Sequence, residues 1–417
     1  MKQIVVIGGG IIGLSAAYHL QQSGHQVTVI DKEDFLNNCS YGNAGYVCPS
    51  HFVPLAAPGI VWKGFKWMFN SLSPFYVQPS LKSALVDWGI KFMKSANATH
   101  VEKAALPLRD IAILSQKAYE GWTSIPGFQF AYEHKGLLEV FQTEAAEEHA
   151  RHLVEKAHRL GLTNTRLLTG QELQDMEPQT EIISRGAVLF ACDAHLYPEK
   201  LMHGLLKLLK QHGVQLLTHQ PVVRFEKSGS NITKVITPDH ALDAEEVIIA
   251  TGAWSREIAA MADTKIPMMP GRGYSITLEN SAYKLNHPAV LVEGRVAITP
   301  MDGNKIRFGG TMEVVPVDTP PRYNRINGII NAVKRYYPQF DIPQPSTEQI
   351  WYGFRPCSAD GLPYIGRVKA FKNVVVATGH SMLGLSLGAG TGQLVKEIVD
   401  GEKTSMDITP FAVERFE

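Results

Sequence analysis

Cysteine is scarce. Four occur in 417 residues (Cys39, Cys48, Cys192, Cys357), with no CxxC pair. That spacing offers no zinc or disulfide framework and fits a reducing compartment. Charge of one sign is also lacking: Lys+Arg and Asp+Glu both number 40, which argues against a broad basic surface for nucleic acid. No stretch of about 18 uninterrupted apolar residues occurs, so no spanning helix is expected. Internal repeats and low-complexity tracts are missing too. What remains is 45% hydrophobic and 19% charged, a globular composition in a chain long enough for two domains. The expected location is the cytoplasm.

The chain begins MKQIVVIGGGIIGLSAAYHL. Its apolar run is broken by Gly8–Gly10 and passes into Gln21 and Gln22, which reads as strand and helix rather than signal peptide. Ile4–Ile7 is a short β-branched run, the pattern of a strand buried on both faces. Gly8, Gly10 and Gly13 match G-x-G-x-x-G. Leu14–Gln22 is helical in pattern, and a second strand, Gln26–Ile30, ends at Asp31. This order predicts a dinucleotide-binding unit. Gly8 permits the tight turn, Gly10 lets a pyrophosphate approach, and Gly13 lets helix pack on strand. The helix amino end, with Ile11 and Ile12, offers free N–H groups to phosphate. Asp31, followed by Lys32, is placed to accept from a ribose hydroxyl. The alternative is a glycine-rich turn with no ligand.

The fingerprint does not separate NAD from FAD; two further stretches favour FAD. Gly213–Ser255 reads as a strand, a β-meander and a buried strand ending in Ala250-Thr251-Gly252, where small residues let the chain pass close to a cofactor. Near the end, Val374–Ala377 reads as a strand, Gly379–Gly384 as a turn and Leu385–Val399 as a helix. That helix start could face a flavin ring and stabilise negative charge on it. The Gly/Pro/Ser/Asn-rich loop after Asp31 holds Ser40, Asn43, Ala44 and Gly45, read as cofactor-lining residues or else as plain surface loop.

Between these segments, Ile60–Met93 carries Trp/Phe clusters interleaved with lysines. VWKGFKWMF admits two readings, an amphipathic helix lying on a membrane surface or a buried helix; the sparse charge and Gly64 favour burial. Pro107–Trp122, Glu144–Leu160, Gln171–Met176, Tyr197–Gln211 and Arg325–Tyr337 read as helices. Gly136–Gln142, Ile266–Glu279, Ala289–Thr299 and Asn304–Gly310 read as strands. The fold class expected is α/β, with two domains: a Rossmann-like FAD domain (1–80, 190–262, 348–417) and a discontinuous β-rich substrate domain (81–189, 263–347).

Assembled, the chain resembles the FAD-dependent D-amino acid dehydrogenases, and more broadly the D-amino acid oxidase, glycine oxidase and sarcosine oxidase superfamily. The likeness runs nearly end to end. It rests on IGGGIIGLSAAYHL, SYGNAGYVCPSHFVPLAAPG, GRGYSITLE at 271–279, GFRPCSADGLPYIGR at 353–367 and TGHSMLGLSLGAGTGQL at 378–394. It implies FAD, held without a covalent link because Cys357 does not match the linking position of the sarcosine oxidase branch. It implies that Val223 meets adenine through its backbone, that Asn43-Ala44-Gly45 lies near the flavin, and that Gly379, Leu383, Gly384 and Leu385 lie under the flavin's pyrimidine end. Arg355 falls where relatives hold the substrate carboxylate. Met382 stands where glycine oxidase-like members tend to carry a second arginine, which implies a more apolar pocket suited to a larger or cyclic side chain.

Residue chemistry agrees with that assignment, since a guanidinium binds a carboxylate bidentately and lysine does so less well. Arg355 is therefore the expected anchor, against the alternative of a structural ion pair. Tyr274 is a second expected donor, or else core packing. His380 is expected to tune flavin or amine protonation, because imidazole titrates near neutrality. Tyr46 and His51 are pocket candidates, and no metal is expected. The expected reaction is oxidation of a D-amino acid, with D-proline and hydroxy-D-proline in view. Electrons would pass to a quinone or another carrier. An oxygen-using amine oxidase and a non-catalytic dinucleotide-binding regulator are the alternatives. Peripheral contact with the inner face of the plasma membrane belongs to the first reading of VWKGFKWMF.

Overall fold

A computed structural model describes residues 1–59, 74–79 and 82–417. VWKGFKWMF lies outside the described residues, so neither of its readings is addressed. Among the described residues no helix is long and apolar enough to cross a membrane.

Two sheets organise the molecule. The first has six strands in the spatial order Tyr364–Arg367, Val374–Thr378, Glu246–Ile249, Gln3–Ile7, Gln26–Ile30, Gln215–Leu217. All neighbours are parallel except the first pair. Gln3–Ile7 is central and buried from Ile4 to Ile7, as its unbroken β-branched run requires. Two helices cover one face, Ile11–Gln22 and Gly384–Asp400. They approach closely because a Cβ on Gly392 would lie 2.5 Å from the Ser15 carbonyl carbon and one on Gly388 2.7 Å from the Ile11 side chain. Glycine here permits helix contact at backbone distance.

The second sheet is mixed and nine-stranded. Trp351–Ser358, Met268–Leu278, Lys305–Val314, Val296–Met301, Ala289–Leu291, Leu137–Phe141, Gly186–Phe190 and Thr165–Thr169 follow in that order, and Phe75–Val77 adds to Lys305–Val314. One face packs on helix Arg325–Tyr336 through Ile298, Phe308, Ile329 and Val333. The other turns toward the first sheet's loops. A meander, Arg224–Ser228, Asn231–Ile236 and Ala241–Asp243, forms a separate three-stranded sheet, as the pattern of 213–255 predicts.

Several expectations shift. Ala289–Thr299 is two antiparallel strands rather than one; the chain turns between them at Arg295, whose φ is +52°. The helix expected from Pro107 runs Ala98–Thr123 with Pro107 inside it. It also packs on Gly384–Asp400, with Leu108 and Ile111 against Leu387 and Leu394, so it lies with the six-stranded sheet's helices although it falls within 81–189. Conversely, Phe75–Val77 and Trp351–Ser358 belong to the nine-stranded sheet although they fall within 1–80 and 348–417.

Candidate active site

The glycine fingerprint separates into parts the protein explains and a part it does not. Gly8 has φ +112°, and a Cβ there would come within 2.5 Å of the Ala250 carbonyl oxygen. A Cβ on Gly13 would overlap the Gly8 carbonyl oxygen. Both positions need glycine for the fold alone. Gly10 does not: its φ is an ordinary −77°, and the nearest atom to an added Cβ is Ser40 Oγ at 3.6 Å. Space is kept in front of the Ile11–Gln22 helix, whose N-cap residue Gly10 has no side chain to cap it and whose first turn holds no acidic residue; Ser40 Oγ meets one N–H there, that of Ile11. A helix start with open room attracts an anion, as a pyrophosphate would be.

Asp31 has two tasks. Its Oδ2 accepts from the Gly9 N–H at 2.6 Å and its Oδ1 from the Glu33 N–H at 2.9 Å, so it braces the glycine loop while retaining lone pairs for ribose hydroxyls. Lys32 places Nζ 3.9 Å from the Trp254 ring centroid, beside the Thr251-Gly252 turn. That turn is tied to the last strand: Thr251 Oγ1 donates to Ser255 Oγ, which donates to Thr378 Oγ1. Val223 is exposed, and its N–H is already bonded to the Ile236 carbonyl at 2.8 Å. Ile12 packs partly against the core, while the Ile11 N–H is taken by Ser40 Oγ at 3.0 Å.

The loop carrying Asn43-Ala44-Gly45 is held from the substrate sheet and is no surface loop. Arg307 Nη1 donates to the carbonyls of Tyr41 and Asn43, both at 2.8 Å. Thr299 Oγ1 donates to the Ala44 carbonyl and Ser275 Oγ to that of Gly42. Asn43 Oδ1 accepts from the Gly45 N–H, and Gly45 has φ +82°. These clamps were not identified from sequence. A strand Arg, Thr or Ser reads as ordinary until the register shows which face it shares with the loop.

At the far turn, Gly379 has φ +78° and a Cβ there would meet the Tyr364 ring at 2.7 Å. Leu385 is buried, and its carbonyl accepts from Tyr119 Oη at 2.6 Å. Leu383 closes the turn through its N–H to the His380 carbonyl. Gly384 repeats the situation of Gly10, with an ordinary φ of −52°, no side-chain cap at the helix start, and nothing nearer an added Cβ than His380 Cβ at 3.8 Å. Met382 is half exposed.

Arg355 lies on an edge strand of the nine-stranded sheet. Its strand pairs with Met268–Leu278, placing Arg355 opposite Gly271. The guanidinium lies over Gly273, where any side chain would overlap it. Nη1 donates to the Thr311 carbonyl at 2.6 Å and lies 3.8 Å from Met312 Sδ. Among the described residues no carboxylate pairs with it, and burial pulls its pKa below the ordinary arginine value. A half-buried cation facing only neutral groups is costly unless an anion arrives.

Two expected roles change. Tyr274 gives its proton to Glu313 Oε2 at 2.7 Å and accepts from the Arg322 N–H. It belongs to a buried network with Arg272 and Arg325, both bonded to Glu313, so its donor is not left for substrate. His380 does not titrate near neutrality. Burial drives its pKa to about 3, and its ring is fixed by Thr391 Oγ1 at 3.0 Å. Tyr46 Oη is 2.8 Å from the Ala289 carbonyl and 3.0 Å from that of Ile298, and its ring stacks on His51 at 6.3 Å. The structure thus brings Tyr46 and His51 to the sheet face, with His51 held near pKa 4 by burial.

With this geometry in hand, similarity to known proteins is decisive for the family. The model of the FAD-dependent oxidoreductase (DAO) family matches residues 3–398. The chain belongs to the DAO family. Its members use FAD, and the two open helix starts, at Gly10 and Gly384, fit that cofactor. The chain is 30% identical to a "D-amino acid dehydrogenase" of Neisseria meningitidis over 426 residues, covering all of both chains. It is 30% identical to one of Helicobacter pylori over 404 residues, 95% of this chain and 94% of that one. Among solved structures it matches glycine oxidase from Geobacillus kaustophilus with a TM-score of 0.76 at 22% identity, over 100% of this chain and 99% of the other. It also matches L-proline dehydrogenase from P. horikoshii at 0.75 and 20%, over 100% and 97%. These last two speak to the shared DAO fold alone.

Proposed function

We propose that this DAO-family enzyme is a D-amino acid dehydrogenase, with D-proline or hydroxy-D-proline as the substrate type. The unpaired guanidinium of Arg355 carries the reading. A free amino acid brings the carboxylate that this cation lacks, and the full-length relatives at 30% identity bear that activity's name. Bound FAD supplies the acceptor, at N5, for the hydride leaving the substrate α-carbon.

The chain's own residues bind and orient. Arg355, braced by Thr311, fixes the carboxylate as a two-point clamp and so sets where the α-carbon lies. The amine must be neutral for its lone pair to support hydride departure. His380 is neutral throughout the physiological range, so it adds no positive charge to oppose that state. The helix start at Gly384 offers positive partial charge where negative charge would build on the ring system. Met382, in place of a second guanidinium, leaves apolar room for a ring-shaped side chain. Cys357 is a poor candidate for a covalent flavin link. Its thiol is buried, pushed up to about 12 and directed at Met312 Sδ and the Arg355 carbonyl.

The cofactor domain in this reading is the six-stranded sheet with helix Ala98–Thr123, and the substrate domain is the nine-stranded sheet. Electrons leave to a quinone or another carrier. The test is an anaerobic panel of D-amino acids with purified protein, read first by a redox dye and then by oxygen alone. Dye reduction with negligible peroxide supports the reading; peroxide at matching rates replaces it with an oxidase.

A further inference from the structure

Away from Arg355, three ligand-type side chains meet where the flavin loop crosses the turn after strand Gly186–Phe190. Cys48, His51 and Asp193 each place one donor atom within 4.8 Å of the others. Cys48 and Asp193 are 1% and 0% exposed. His51 Nδ1 is shielded from solvent and has no hydrogen-bond partner. Asp193 is fixed in place, accepting from the Ser50 N–H at 3.1 Å and from the Ser50 hydroxyl. Glu139 lies near enough for its charge to act on Asp193. Neither carboxyl forms an ion pair among the described residues, and Arg295 is the one cation noted near Glu139. Buried acid without a paired cation is costly, and a bound metal is one of the few ways to offset it.

We propose that Cys48, His51 and Asp193 form a site for one zinc-class divalent ion, with a fourth position open to water. A sulfur, a nitrogen and an oxygen donor together suit zinc rather than magnesium or calcium, which take oxygen ligands. Binding requires the Cys48 thiol to release its proton to solvent, leaving a thiolate on the metal. The ion's place in the fold makes it a tie. Tyr46–Val47 already pairs with Ala194–His195, and the Cys48 N–H donates to Ser386 Oγ at 2.9 Å in the first turn of the Gly384–Asp400 helix. The metal would lock the loop that lines the cofactor onto both the substrate sheet and that helix start. Sequence spacing conceals the site because Cys48 and His51 are neighbours but Asp193 comes from a distant part of the chain.

The experiment is metal analysis of tag-free holoenzyme, purified without chelator and then reconstituted with zinc in reducing buffer and desalted. One zinc per chain is expected for the wild type and a near-complete loss in Cys48→Ser and His51→Gln. Cobalt reconstitution should give d–d bands of a tetrahedral thiolate site, to the red of the flavin absorption, absent in Cys48→Ser. Wild-type protein that stays far below one zinc per chain after reconstitution overturns the proposal, as do folded variants that retain wild-type zinc. Should a variant not fold, wild-type stoichiometry and the cobalt spectrum decide. None of these readouts depends on amino acid oxidation, so the dehydrogenase reading stands or falls separately.

Discussion

Replacing Arg355 by leucine should divide substrate binding from folding. In the folded chain the guanidinium contacts a carbonyl oxygen and a thioether and no carboxylate. Removing it takes away a half-buried charge without stranding an opposite one, so the variant should melt at or above the wild-type temperature. Substrate binding should suffer heavily. Losing one partner of an enclosed, hydrogen-bonded ion pair costs about 3–4 kcal/mol after allowance for residual exposure. That converts to a fall of about 200- to 1000-fold in kcat/KM, carried mainly by KM. Arg355→Lys keeps the charge but not the planar fork and should lie between. The assays are steady-state dye reduction, flavin content by absorbance and thermal melting. A kcat/KM within a few-fold of wild type, or a collapse in melting temperature with lost flavin, would refute the anchor and make Arg355 structural.

Other expectations follow from the same coordinates. Gly10→Ala should leave the apoprotein's stability nearly unchanged while weakening FAD, whereas Gly13→Ala should fail to fold properly because its methyl overlaps the Gly8 carbonyl oxygen; flavin titration and melting separate the two. Arg272→Leu removes two hydrogen bonds from the buried Glu313 but leaves it paired with Arg325, and should cost about 1.5–3 kcal/mol, read by denaturant unfolding. Tyr274→Phe should lower stability by about 1–3 kcal/mol with little change in KM, and a large KM change would restore Tyr274 to the pocket. Burial holds His19 near pKa 4 and His380 near 3. Unfolded histidine binds its proton near pH 6.5, so stability is full above that value. It is lost as pH falls toward 4 and 3, by about 3 kcal/mol or more per residue at the limit. His380→Gln should flatten part of that acid slope without moving the activity profile near neutrality.

Much of the cofactor unit was legible because its signals are local. A β-branched run, three spaced glycines and a following acid specify strand, turn, helix and strand within one short stretch, and the structure returns them within a few residues. The turn beginning at Gly379 was legible for the same reason, since glycine marks a turn by residue type. What was not legible depends on register between distant strands. Arg307, Thr299 and Ser275 hold the loop at 41–44 only because three separate strands turn those side chains to one face. The fate of Tyr274 was decided by Glu313, and that of His380 by its burial against Thr391. Arg355 was singled out by residue type, but only the fold shows that no acid among the described residues pairs with it. Where a single strand or helix joins the other body was not legible either, as with Trp351–Ser358 in the nine-stranded sheet and Ala98–Thr123 against Gly384–Asp400.

The most direct trial of the whole account is the visible spectrum of the purified enzyme during an anaerobic titration with D-proline and a panel of other D-amino acids. The account predicts a yellow protein with about one FAD per chain, bleached by at least one of these substrates in wild type and resistant to bleaching at the same concentrations in Arg355→Leu. A colourless protein that refuses added FAD, or a bound flavin that no D-amino acid reduces, would contradict it.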